Sequence, residues 1–369
     1  MHHKLNDPSE LITPCLLVYP DRVRNNIQEC IRIAGGPDRL RPHVKTHKCR
    51  QIVELELEMG ITRHKCATLA EAEMLAEAGA KDVFIAYPQV GPAINRLLTI
   101  LAKYTKTEFC VAIESVANAT QIDSRLGEVR KNLDVLVDVD IGMHRTGVPV
   151  ERALDVCRAV AAAKQLRFRG LHAYDGHNHL PKLVDRQDSV RGITTHLSSL
   201  TERLSASGLE CATIVCGGTP TFPVFAQVEI ADVSIELSPG TCILNDFGYS
   251  DAYRDMNGFE YAAILMTRVV SKQHSGHVTL DLGHKAVAGD PPAGRRCHFL
   301  DIDAVEGKQN EEHLVIQTPA AERLELGDVL YVVPTHICPT VALHSEMQVV
   351  KSGQVAGSWP VAARHRIYR

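Results

Sequence analysis

His64-Lys-Cys-Ala67, then Leu69-Ala-Glu-Ala-Glu-Met-Leu-Ala-Glu-Ala-Gly79, then Val83-Phe-Ile-Ala-Tyr87 is the stretch that decides the architecture. A short strand-like run leads into a helix-forming segment that stops at a glycine, and a second run starts after a turn at Asp82. Outward from it the same unit recurs. Further strands are expected at 40–45, 108–113, 133–139, 168–174, 213–216 and 234–237, which makes eight. Helices are expected at 48–59, 69–78, 94–103, 116–129, 150–163 and 186–205. Eight βα repeats predict a closed (β/α)8 barrel of the TIM type within the α/β class. The rival, an open doubly wound sheet, lacks its GxGxxG after the first strand. Polar residues gather just past the strand ends: Lys45, Thr68, Gln89, Arg145, His177, Gly217 and Thr219. In a barrel that rim carries the active site.

Beyond about Tyr249 the pattern changes. Runs such as Ala262–Met266, His277–Asp281, Leu314–Ile316, Val329–Val333 and Met347–Val350 are separated by short turns, without long helical windows. They predict a second, mostly antiparallel β domain. The run Cys15–Tyr19 is one strand too many for the barrel and is expected to join that domain. The division expected is 21–248 for the barrel, and 1–20 with 249–369 for the β domain.

The chain has 369 residues, 45% hydrophobic and 23% charged, as in a soluble globular protein of about two domains. The net charge of −4 is spread over interspersed signs, and aromatics make up 5%. Neither fits a nucleic-acid or membrane-surface binder. No apolar stretch approaches ~18 residues, and no secretory signal is expected. The 11 cysteines are odd in number, include no CxxC and mostly sit in apolar runs. Buried thiols in a reducing cytoplasm are expected rather than disulfides.

Four segments carry chemistry. In Arg41-Pro-His-Val-Lys-Thr-His-Lys48, a side-chain period of two puts Arg41, His43 and Lys45 on one face, with Lys45 at the barrel mouth. A desolvated lysine beside other cations can form a Schiff base; the alternative is a solvated strand-end lysine. Val215-Cys-Gly-Gly-Thr-Pro-Thr221 and Ser238-Pro-Gly-Thr241 follow the seventh and eighth strands, where barrels of this kind bind phosphate. Their alternative is two ordinary turns. In Pro334-Thr-His-Ile-Cys-Pro339, His336 and Cys338 at i, i+2 on a strand would point the same way. A thiolate with an imidazole suits Zn²⁺; otherwise the pair is packing. In His172-Ala-Tyr-Asp-Gly-His-Asn-His179, Tyr174 could lie against a planar cofactor, and His177 and His179 could move protons near neutral pH. Asp138-Val-Asp-Ile-Gly-Met-His-Arg145 supplies a cation at the mouth. His196, His274, His277, His298 and His365 read as surface or packed residues.

Taken in order, Lys45, Gly-Met-His-Arg145-Thr-Gly, Tyr174, Gly-Gly-Thr219, Ser-Pro-Gly-Thr241 and His-x-Cys338-Pro-Thr resemble the fold-type III pyridoxal-phosphate enzymes, whose N-terminal barrel is that of alanine racemase. Within them the chain is similar to the metal-activated D-threonine aldolase and D-serine dehydratase branch. The likeness extends to Leu280-Asp-Leu-Gly-His-Lys-Ala286.

The resemblance implies that Lys45 carries pyridoxal 5'-phosphate. Gly217, Gly218, Thr219, Gly240 and Thr241 would bind its phosphate, with Arg145 near its phenolic oxygen, Tyr174 near its ring and Ser238 facing its pyridine nitrogen. His336 and Cys338 would bind a divalent metal (Zn²⁺ or Mn²⁺), and the proton-transfer histidine would be His177 or His179. It implies a homodimer acting on small D-3-hydroxy amino acids, most simply as a D-threonine aldolase giving glycine and an aldehyde. The alternative is a D-serine or D-3-hydroxyaspartate dehydratase giving a 2-oxo acid and ammonia. A non-catalytic pyridoxal-phosphate carrier, the third reading, lacks a metal pair and a β domain. Two departures bear on the choice. Alanine racemases have arginine where Ser238 stands, which argues against racemisation. Many D-threonine aldolases have His-x-Asp at the metal, whereas the zinc-dependent dehydratases have His-x-Cys.

Overall fold

The computed structural model describes residues 3–368. In chain order the elements are β1 (Cys15–Val18), α1 (Pro20–Ala34), α2 (Arg50–Glu58), β2 (Arg63–Cys66), α3 (Leu69–Ala78), β3 (Asp82–Ile85), α4 (Pro92–Lys103), β4 (Glu108–Ile113), α5 (Val116–Val129), β5 (Leu133–Asp140), β6 (Val148–Pro149), α6 (Val150–Ala162), β7 (Leu166–Ala173), α7 (Leu183–Ala206), β8 (Thr213–Cys216), α8 (Phe222–Phe225) and β9 (Ser234–Leu237). Then come α9 (Phe247–Ala252), β10 (Ala263–Ser271), β11 (His277–Leu280), β12 (Cys297–Phe299), β13 (Val305–Gln309), β14 (Leu314–Gln317), β15 (Val329–Pro334), α10 (Ile337–Leu343), β16 (Glu346–Lys351) and β17 (Gln354–Pro360). The chain divides into two compact units. One comprises Cys30–Lys45, Val53–Gly240 and the residues from His365; the other comprises the residues up to Glu29, Thr46–Ile52 and Thr241–Arg364. None of the described helices is long and apolar enough to cross a membrane.

The first unit is an α/β barrel. Its strands run in parallel in the order β2-β3-β4-β5-β7-β8-β9, with β6 paired to the end of β5. Residues 40–44 join the two edges. Leu40 bridges Leu237 and His43 bridges Lys65, both in parallel. The Arg41 N–H donates to the Leu237 carbonyl at 2.7 Å and the Lys65 N–H to the Pro42 carbonyl at 2.9 Å. The strand expected at 40–45 is therefore reduced to bridges, because Pro42 has no N–H to give the ladder. The helices are capped locally. Thr68 accepts from the Glu71 N–H and Gly79 ends α3 in the left-handed conformation.

The barrel interior is layered. At one level Arg41, 1% exposed, grips Asp82 with two hydrogen bonds of 2.7 and 3.1 Å and Glu236 with one of 2.5 Å. Arg169 adds 2.8 Å to Asp82 and 3.3 Å to Asp134. It enters where the β5–β7 register shifts, one residue before Gly170 (φ +149°), whose Cβ would overlap the Thr213 carbonyl. Above lies an apolar layer of Phe84, Cys110, Ala112, Leu136 and Val215. Asp138, two residues beyond Leu136 on the same face of β5, is buried, as are Lys65 and His172.

The second unit is built on a nine-stranded sheet in the order β13-β14-β11-β10-β1-β16-β17, with β15 pairing β10 and β12 pairing β15. The N-terminal strand β1 sits inside it, antiparallel to β10 and parallel to β16, as its surplus to the barrel predicts. The core beneath contains Leu17, Ile264, Met266, Tyr331, Val333 and Val350.

Candidate active site

Tyr174, just past the end of β7, organises the barrel mouth. Two glycines frame its ring. A Cβ at Gly176 would overlap Cε1, and one at Gly218 would lie 3.3 Å from Cε2. Three cations converge on that ring, with Lys45 Nζ 5.5 Å, Lys65 Nζ 5.2 Å and Arg145 Cζ 5.4 Å from its centroid. Lys45 and Tyr174 are half-buried, and Arg145 is exposed.

Beneath the ring runs a buried hydrogen-bond chain. Lys65 Nζ lies 3.3 Å from His172 Nε2, and His172 Nδ1 lies 2.7 Å from Asp138 Oδ1. Thr146 donates its hydroxyl to Asp138 Oδ2 at 3.1 Å. The His172 ring is parallel to that of Tyr174, with centroids 6.5 Å apart. Burial, then the charge of Lys65, hold His172 below the usual imidazole range. Its Nδ1 faces the carboxylate and its Nε2 faces the amine. Burial, then the charge of Lys45, bring Lys65 down to about 7. Burial pushes Asp138 up, but the charge and hydrogen bond of His172 outweigh it and leave the carboxyl low.

The glycine turns lie on the neighbouring rim. Gly217 has φ +71°, and a Cβ there would come within 3.0 Å of the Phe222 backbone. The Gly240 N–H donates to Thr219 Oγ1 at 3.1 Å, so these two expected phosphate ligands share one cradle. The Gly218 N–H is 3.4 Å from Asp175 Oδ1. The Ser238 hydroxyl donates to the Arg41 carbonyl at 3.0 Å.

In the second unit, His336 and Cys338 do not lie on a strand. The β15 strand ends at Pro334, His336 caps α10, and Cys338 stands in its first turn. Pro339 explains the change, since a proline in the first helical turn loses no hydrogen bond. Asp246, buried, holds this turn by accepting the Ile337 N–H at 3.1 Å, and burial raises its carboxyl to about 6. His336 Nδ1 is 2.5 Å from Asp290 Oδ2. Cys338 Sγ is 3.1 Å from Thr46 Oγ1 and 3.4 Å from Thr241 Oγ1. The hydroxyl of Thr241, expected on a phosphate, thus faces the thiol. Burial raises that thiol, but the hydrogen bond and charge of His336 outweigh it, and the net shift is downward. Thr46 follows Lys45 in the chain, and Thr241 follows Gly240.

The "Alanine racemase, N-terminal domain" family model matches residues 18–244, more than half of the chain. The chain belongs to that family. Its fold is that of the fold-type III pyridoxal-phosphate proteins. A second model, "Putative serine dehydratase domain", matches residues 262–350 of this family member. A D-threonine aldolase of Arthrobacter sp. is 33% identical over 88% of this chain and 85% of its own. A 3-hydroxy-D-aspartate aldolase of Paracoccus denitrificans is 28% identical over 98% and 94%. The crystal structure of D-threonine aldolase from Filomicrobium marinum superposes with a TM-score of 0.87 at 26% identity, covering 98% of both chains.

The residues fit the family's cofactor. Three cations around one ring call for an anionic, planar partner, and the cradle of Gly217, Thr219 and Gly240 has the backbone freedom a phosphate needs. A nitrogen and a low-lying thiol suit a borderline-soft divalent ion. Among the described residues no cluster of three or more His, Cys, Asp or Glu side chains could hold a metal, so a pair would leave coordination positions open. Between the two histidines left open by the sequence, His177 meets the Arg145 loop, with its Nε2 3.0 Å from where a Cβ on Gly142 would stand. His179 is exposed. Sequence reading missed Lys65, Asp290 and Asp246. Lys65 had one signal, a lysine at an inward position of a strand expected to be covered on both faces.

Proposed function

We propose that this protein is a pyridoxal-phosphate- and divalent-metal-dependent lyase on D-3-hydroxy amino acids, acting as a D-threonine-type aldolase. The observation that carries the reading is the convergence of Lys45, Lys65 and Arg145 on the Tyr174 ring. Lys45 is the amine that holds the cofactor. Tyr174 backs its ring, Arg145 faces its phenolic oxygen, and Ser238 its pyridine nitrogen. Gly217, Gly218, Thr219, Gly240 and Thr241 take its phosphate. His336 and Cys338 hold a Zn²⁺ or Mn²⁺ ion, with Asp290 orienting the imidazole. Bound, the cofactor supplies an electron sink conjugated with the substrate α-carbon, and the ion a Lewis acid for the β-oxygen.

The chain's own contribution is orientation and proton movement. His177, in the loop after β7 and against the Arg145 loop, takes the β-hydroxyl proton, with His179 as the other histidine of that segment. Removal of that proton leads to Cα–Cβ cleavage into glycine and an aldehyde. The second reading is a D-serine or D-3-hydroxyaspartate dehydratase, in which Lys45 takes the α-proton and hydroxide departs. His-x-Cys338 favours it, as does the match of 262–350 to a dehydratase domain. We assign 21–248 to cofactor binding, and 1–20 with 249–369 to the metal. We place the protein in the cytoplasm, since none of the 11 cysteines is in a disulfide, and as a homodimer, as its family resemblance implies.

The test is product identification. Protein supplied with pyridoxal phosphate and Mn²⁺ or Zn²⁺ is incubated with D-threonine. Glycine and acetaldehyde are expected; 2-oxobutanoate and ammonia establish the dehydratase; neither pair, across a panel of D-3-hydroxy amino acids, overturns both readings.

A further inference from the structure

Lys65 is 2% exposed, yet its hydrogen-bond partner is an imidazole and not a carboxylate. Among the described residues no Asp or Glu side chain lies within ion-pair distance of it. A lysine so buried costs stability unless paired, and an apolar side chain would pack the same strand position better. Its surroundings point towards the mouth. His172 joins it to Asp138, Asp138 holds Thr146, and Thr146 follows Arg145 in the chain.

We propose that Lys65 is a positioning residue of the cofactor site: a second amine that, across the Tyr174 ring and through His172 and Asp138, sets the charge around Lys45 and around what Lys45 carries. This rests on the cofactor reading above, which counts Lys65 among the cations around Tyr174 without giving it a role of its own.

The geometry makes the amine switchable. Facing it are Lys45 from the segment before α2, His43 paired across the bridge, Asp138 from β5, His172 and Asp175 from β7 and its following loop, and Cys216 from β8. Burial and Lys45 disfavour its charged form, whereas Asp138, Asp175 and Cys216 favour it. The balance leaves it titrating about pH 7, where the protonated amine adds a positive charge beneath Tyr174 and the neutral amine does not.

The experiment follows the visible absorbance of bound pyridoxal phosphate from pH 5.5 to 9. In the wild type a spectral step near pH 7 is expected. Lys65→Met has no charge to add and should keep the high-pH spectrum throughout. Lys65→Arg keeps its charge at every pH and should keep the low-pH spectrum. Asp138→Asn removes the carboxylate that favours the charged amine, so the step should move to lower pH, by roughly one unit. A merely structural lysine would leave the step in place in every folded variant. If Lys65→Met does not fold, the Arg and Asp138→Asn variants carry the same test. A step that none of the variants moves, or no step in the cofactor-loaded wild type, overturns this inference alone. A wild type that takes up no pyridoxal phosphate overturns the cofactor reading and this inference with it.

Discussion

Asp82→Asn probes the ion cluster at the floor of the barrel. Asp82 receives a two-pronged grip from Arg41 and a further bond from Arg169. Removing one partner of a buried ion pair costs about 3–5 kcal/mol, because a charge is left buried without compensation. Here the lower end applies, since Arg41 keeps Glu236 and Arg169 keeps Asp134. The acid titration gives an independent figure. Burial alone would raise Asp82, but Arg41 and Arg169 outweigh it and hold the carboxyl at about 2 against an ordinary 3.8. That difference corresponds to about 2–3 kcal/mol. Because the folded value lies below the unfolded one, this stabilisation is complete above about pH 4 and is lost as the pH falls towards 2. At ~2–4 °C per kcal/mol for a domain of this size, the unfolding midpoint at pH 7 should fall by roughly 6–12 °C. Far-UV circular dichroism on heating, at pH 7 and at pH 3, measures both effects. The variant should also lose less stability than the wild type between those two pH values. A midpoint within 2 °C of wild type at pH 7, with parallel acid limbs, would refute the claim that this carboxylate anchors the barrel floor.

Three further outcomes are expected. Lys45→Ala should abolish the visible absorbance of bound pyridoxal phosphate, and a persisting band would remove Lys45 from its role. Asp290→Asn should weaken metal binding by about 10–100-fold in a chelator competition, as loss of a histidine-orienting carboxylate does, while cofactor uptake stays unchanged. Gly176→Ala has to displace the Tyr174 ring, so it should weaken pyridoxal phosphate uptake, read by titration of the visible band, with little change in far-UV circular dichroism.

The chain's own pattern was enough for the alternation of strands and helices. The strands Thr213–Cys216 and Ser234–Leu237 and the helices Leu69–Ala78 and Val116–Val129 fall where the apolar periodicity and the stop signals put them. That information is local, since hydrophobic spacing and capping act over a few residues. The same holds for Cys15–Val18, a surplus strand in search of a sheet. Tertiary structure decided what depends on register between distant segments. Lys65 and His172 are 107 residues apart, and only the parallel alignment of the barrel strands brings the amine to the imidazole. His336 and Cys338 read as a strand pair because i, i+2 spacing is a local rule, yet Asp246, some 90 residues earlier, accepts the Ile337 N–H and helps open a helix there. Burial, which moves Lys65 to about 7 and Asp246 to about 6, is a property of everything packed around a side chain, so no single stretch of residues encodes it.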